Sequence, residues 1–215
     1  MTTSSTQHVG TQAAVAPPIV HPAVIRGLHW ATLAALVATF AAILLREGVE
    51  SKDLRMWTMN LHRYLGLAVW ALTCLRLIVR SRLPLADTQA LAPLWQRWAA
   101  SATHGLMYLF LLGLPLLGLA LANAGGHSLV LPLVGALPAW PAKDLDLADT
   151  LQEWHGLAAW SLLALAGAHA AVALWHHHVV RDGVLLAMLP RLAQPARRRG
   201  AASPQRAPQP SRSFS

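Results

Sequence analysis

The sequence predicts an all-α integral membrane protein, a four-helix transmembrane bundle. Three observations predict it. Of the 215 residues 55% are hydrophobic and only 12% charged, about half the roughly 25% usual in soluble domains. The apolar residues do not alternate but come in runs of about twenty, the length that crosses a hydrocarbon core of ~30 Å as a helix. Each run also carries a histidine near its start: His29, His62, His104 and His155. An ionisable side chain inside a span marks a functional site by default, because burying it without a partner is costly.

The elements follow in order. Residues 1–22 are rich in Thr, Ser, Gln, Ala and Pro, end in Pro17-Pro18 and His21-Pro22, and read as a disordered arm. They have no apolar core, so no cleavable signal peptide is expected. The first span is expected over 24–45, with Trp30 as an interface aromatic. A connection of mixed charge, 46–59, leads to the second span over 60–79. Residues 80–97 carry Arg80, Arg82 and Arg97 against Asp87, and Pro84 and Pro93 break any long helix there. The third span, 102–123, has Pro115 in its middle and Gly105, Gly113 and Gly118 for close approach of a helix or cofactor. A loop over 124–149 contains an apolar stretch, 129–134, too short to span and expected at the interface. The fourth span runs over 151–180. The helical domain thus covers 23–190, and a basic disordered tail, 191–215, follows it.

Net charge is +8. The positive residues sit in loops and tails beside apolar spans, which fits lipid headgroups rather than nucleic acid. Arginine is concentrated in 80–97 and in the tail, so the positive-inside rule places both termini and the middle loop in the cytoplasm. One cysteine, Cys74, excludes a disulfide framework, and the absence of Cys-x-x-Cys-His excludes a covalent c-type haem.

The fourth span organises the chemistry. His155 and His169 are fourteen residues apart, a rise of about 21 Å with a drift of only about 40° round the helix. One face therefore presents imidazoles at two heights. Given the alternating directions of the spans, His29 matches His169 near the cytoplasmic side and His62 matches His155 near the outer side. A histidine pair at each face of a four-helix bundle is what bis-histidine haem binding requires. A single histidine satisfied by a neighbouring helix is an ordinary feature of a span, but four matched in two pairs are not. A single tetrahedral zinc site is excluded, because the levels lie about 20 Å apart and no carboxylate or thiolate joins them.

The order of these segments resembles the bacterial cytochrome b561 family. The matching stretches are Leu28-His29-Trp30, Met59-Asn60-Leu61-His62, Cys74-Leu75-Arg76-Leu77, His104-Gly105-Leu106-Met107-Tyr108 and Leu114-Pro115-Leu116-Leu117-Gly118. In the fourth helix they are Trp154-His155-Gly156, His169-Ala170-Ala171 and His176-His177, with 186–190 after it. The likeness covers roughly residues 20–190. It implies two non-covalent b-type haems per chain with His29, His62, His155 and His169 as axial ligands. It also implies a multi-pass inner-membrane protein that carries electrons to or from a quinone, with superoxide oxidation by ubiquinone as a specific activity. The electron donor or acceptor is not named by any residue. His104, His176, His177, Arg26, Arg63 and Arg76 are candidates for contact with a quinone headgroup or a haem propionate, and His178 completes the triplet. Two other functions compete: a cytochrome subunit of a larger dehydrogenase or hydrogenase, and a haem or metal-ion carrier.

Overall fold

The computed structural model describes residues 21–83, 93–127, 129–131, 135–136, 140–182 and 184–189. Four long helices cross up and down: α1 (Ala23–Glu47), α2 (Lys52–Arg82), α3 (Leu94–Ala124) and α4 (Leu145–Trp175). Each is long and apolar enough to span a membrane. α1 packs on α2 and α3 on α4, and the two hairpins meet along α2 and α3, whereas α1 and α4 make little direct contact. One end of the bundle carries the start of α1 and the end of α4; we call it the terminal end, and the opposite one the loop end. The tail expected over 191–215, and all but residues 21–22 of the arm expected over 1–22, lie outside the described residues.

The helices outrun the apolar segments. α2 begins at Lys52 rather than at residue 60, so the connection expected over 46–59 shrinks to residues 48–51. Leu54, Arg55 and Met56 are good helix formers, and Asp53 in the first turn opposes the helix dipole. Hydropathy marks where a helix enters lipid, not where its hydrogen bonds begin. α3 likewise starts at Leu94, directly after Pro93, and α4 starts at Leu145 because Asp144 caps it, accepting from the Leu147 amide at 3.0 Å. Pro115 lies inside α3, as membrane helices tolerate. The stretch 129–134 contributes to a small antiparallel pair, β1 (Val130–Leu131) with β2 (Gly135–Ala136), in register Val130 to Ala136. The Tyr64 hydroxyl donates to the Val130 carbonyl at 3.0 Å and ties this pair to α2.

Past α4 the chain makes one π-helical turn, His176–Val180, reverses at Arg181 with φ 57° and forms α5 (Val184–Met188). The end of α5 docks on the start of α1. Its last carbonyls find donors there: Ala187 from the His21 amide, Met188 from Trp30 Nε1 at 2.8 Å, and Leu189 from Arg26 at 2.7 Å. A helix end buried without such partners would be unstable. Burial, with Arg80, Arg76 and Arg26 nearby, pushes the His21 imidazole below its usual 6.5, so it stays neutral at pH 7. Trp30→Phe removes one of the three bonds, about 1 kcal/mol. It is expected to speed amide exchange across Val184–Met188, and unchanged exchange there would show that α5 is held by other contacts.

The buried core is a waist at mid-bundle, formed by Val69, Leu111, Leu114 and Leu162 with Ala35, Leu36, Phe110, Ala158 and Ala159 packed against it. Leu109, Leu157, Trp160 and Val172 are exposed apolar side chains, as befits a lipid-facing surface. Thr32, Thr39 and Thr73 are buried but return their hydroxyl hydrogens to the carbonyl four residues back, at 2.7 Å in each case.

Candidate functional site

Three layers stack along the bundle at steps of seven residues, about 10.5 Å each. Seven residues is nearly two turns, so each helix keeps one face inward. On α2 the steps are His62, Val69 and Arg76; on α3, His104, Leu111 and Gly118; on α4, His155, Leu162 and His169; α1 adds His29 and Leu36. The waist is therefore apolar, and each end is lined with imidazoles.

At the loop end His62 and His155 meet edge to face, ring centres 6.2 Å apart and planes at 75°. His62 Nδ1 lies 2.9 Å from the Thr39 carbonyl. A carbonyl only accepts, so Nδ1 carries the hydrogen and Nε2 keeps its lone pair. This is how ligating histidines are oriented. His155 Nδ1 is buried without a hydrogen bond of full geometry, with the Leu114 carbonyl beside it. Its ring fits because position 118 has no side chain: a Cβ on Gly118 would come within 3.0 Å of His155 Cε1 and 3.4 Å of Nδ1. Gly105 and Gly113 face open space instead. Arg63 reaches Asn60 Oδ1 at 3.5 Å and feels the charge of Arg46, whose Nε is buried and unpartnered.

At the terminal end His104 and His169 meet edge to face, ring centres 5.3 Å apart. His104 Nδ1 donates to the Ala100 carbonyl at 2.7 Å, which again leaves Nε2 free. His29 shares this level, close enough to His169, His104 and Arg76 for their charges to act on it, and its edge-to-face ring contact is with Trp30 at 5.7 Å. The ring that touches His169 is thus His104 rather than His29, its partner by height. Arg76 lies over the Tyr108 ring, 5.8 Å from its centre. Arg26, one turn below His29, is 6% exposed and engaged by the Leu189 carbonyl.

Below this layer the π-helical turn presents the histidine triplet. His176 Nδ1 lies 2.5 Å from Asp182 Oδ2, and Asp182 also caps α5 through its other oxygen, accepting from the Val184 amide at 3.1 Å. His177 and His178 contact each other edge to face at 4.9 Å. Sequence reasoning did not name Asp182, and it quoted Tyr108 only within a matching stretch, without a role. Tyr108 is four residues from His104, one helical turn, and that spacing was the available signal. Asp182 had none, since its approach depends on the π-turn.

The donor set narrows the chemistry. Among the described residues no group of three or more His, Cys, Asp or Glu side chains is placed to hold a bare metal ion. Two opposed imidazole nitrogens suit an iron that already carries a tetrapyrrole. The oriented His62, the His155 ring seated against Gly118 and the sparse contact between α1 and α4 fit a flat apolar group.

Comparison with known proteins agrees. Residues 20–191 match the family described as prokaryotic cytochrome b561. The chain is 33% identical over 165 residues to cytochrome b561 homolog 1 of Escherichia coli (strain K12), covering 76% of this chain and 93% of that protein. It is 30% identical over 166 residues to the probable superoxide oxidase CybB of Yersinia pestis, covering 77% and 93%. It is also 30% identical over 170 residues to cytochrome b562 of Cereibacter sphaeroides, covering 75% and 90%. The chain belongs to the prokaryotic cytochrome b561 family, and is a multi-pass membrane b-type cytochrome of electron transfer.

Proposed function

We propose that this protein carries electrons across a bacterial inner membrane between two b-type haems, one at each end of the bundle, and exchanges them with a quinone. The observation that carries the reading is the layering: imidazoles at two levels about 21 Å apart, separated by an apolar waist. His62 and His155 are the ligands at the loop end, and His29 and His169 at the terminal end. The Arg-rich connections support a cytoplasmic terminal end.

A bis-histidine haem supplies a one-electron couple with no open coordination position. The protein's own groups do the rest. The Thr39 carbonyl holds His62 in the tautomer that presents Nε2. The waist of Val69, Leu111, Leu114 and Leu162 keeps water from joining the two ends. Reducing a quinone takes two electrons and two protons. The His176–Asp182 pair is the proton-holding group on the terminal side: the imidazole keeps its hydrogen on Nδ1 toward the carboxylate and offers Nε2 for proton exchange. The similarity to a probable superoxide oxidase makes superoxide a donor to test. Each superoxide gives one electron and leaves as dioxygen, so two are consumed per quinone. Arg46 and Arg63 would draw such an anion to the loop end.

Haem stoichiometry tests the reading. Purified protein is expected to hold about two haems per chain with b-type reduced bands, to be reduced by superoxide and by a quinol, and to lose the label of a carrier. A substoichiometric, exchangeable haem would sink it. Gly118→Val gives a second check. The added carbons collide with His155, so loop-end haem is expected to fall several-fold while terminal-end haem stays. Full occupancy at both ends would mean that the ring has room to move aside.

A further inference from the structure

Two polar groups at the terminal end lack an answering partner. The Tyr108 hydroxyl is buried and makes no hydrogen bond. The Arg76 guanidinium lies over the Tyr108 ring, and among the described residues no carboxylate pairs with it. Among the described residues none is in position to do so. α3 contains no Asp or Glu, and α2 has only Asp53, at its far end. Asp182, past the end of α4, is bound to His176. An unanswered cation and an unanswered hydroxyl on facing helices, at one level, are costly in a membrane protein unless something else supplies an acceptor. Arg76 is fourteen residues past His62 on α2 and His169 fourteen past His155 on α4, so the His62–His155 contact puts Arg76 on the level of His169, and whatever binds it borders the terminal-end cofactor.

We propose that Arg76 and Tyr108 together bind a carboxylate of the terminal-end haem, Arg76 by charge and Tyr108 by donating its hydroxyl hydrogen, and so raise that haem's reduction potential. The inference rests on the di-haem reading above. The physical reason is electrostatic. A haem carboxylate left unpaired beside the iron favours the ferric state, and a cation and a hydrogen bond that neutralise it favour the ferrous state. The pair then makes the terminal-end haem a better electron acceptor than it would be without them, which favours electron flow toward that end. Tyr108 acts through the haem's carboxylate, away from the axial bonds, and is a positioning residue.

Redox titration of the full-length protein with both haems bound tests this, with each haem assigned by comparison with His169→Ala. Tyr108→Phe keeps the ring over Arg76 and removes only the donor. It is expected to lower the equilibrium constant for reducing the terminal-end haem threefold to tenfold, tenfold being about 59 mV for one electron. Arg76→Gln is expected to lower it further, and Arg76→Lys, which keeps the charge, to recover most of the loss. The loop-end haem should not move. Loss of terminal-end haem from Arg76→Gln, with retention in Arg76→Lys, would equally support the contact. If Tyr108→Phe and Arg76→Gln keep both haems with unchanged potentials, or shift the loop-end haem instead, the proposal is wrong. If the wild-type protein holds no terminal-end haem, the di-haem reading fails with it, and the stoichiometry reports that separately. A resonance Raman spectrum in the propionate-bending region gives a readout independent of turnover, and should change in Tyr108→Phe.

Discussion

Replacing His169 with alanine is expected to remove the terminal-end haem, cut total haem by about half and stop transmembrane electron transfer. The effect is large because nothing bypasses the site. The loop end lies about 21 Å away along α4, across a waist that contains no redox group. Loss of an outer-shell partner to a metal ligand typically costs roughly 10–100-fold in affinity or activity, so loss of an axial ligand should exceed about a hundredfold in quinone reduction. Reduction of the remaining haem from the loop end should persist, since His62 and His155 are untouched. The presence of His104 beside His169 makes the result informative. If His169→Ala keeps its full haem, then His104, whose Nε2 is free, has taken the position. His104→Ala combined with His169→Ala would then clear it. If haem survives both substitutions, the terminal-end site is not where His29 and His169 place it.

The four spans and the histidine levels were legible because lipid leaves so few choices. A helix that crosses it must be apolar for about twenty residues, and a histidine that interrupts such a run is conspicuous. Fourteen residues between His155 and His169 fix two levels from helical rise alone. Helix ends were not legible: Lys52–Met59 is polar enough to resemble a connection, yet it continues α2 outside the apolar segment. The inward neighbours of the histidines were hidden for a related reason. That Thr39 offers its carbonyl to His62, or that the Tyr108 hydroxyl is buried, depends on how helices rotate against each other. Sequence spacing sets height along a helix but not contact across the bundle. Docking of α5 on Arg26 and Trp30 was out of reach too, because a five-residue helix carries too little periodicity to announce itself.

Leu162→Ala is expected to destabilise the bundle by about 1–3 kcal/mol, whereas Leu163→Ala, one residue along the same helix, should cost well under that. Leu162 is 1% exposed and sits at the centre of the waist, while Leu163 is 39% exposed and faces outward. In a soluble protein the cost of Leu→Ala combines lost transfer free energy with a cavity. Lipid tails are as apolar as leucine, so the transfer part largely vanishes in a membrane and packing remains. Only a residue surrounded by protein can lose packing in that way. The test is reversible unfolding of the two variants in the same bilayer or micelle, with haem bound. Equal costs would mean that the waist is no better packed than the lipid contact. A larger cost at Leu162, with both haems retained, would show that the layers are held apart by protein packing. The packing of the waist could then be varied without touching a histidine at either end.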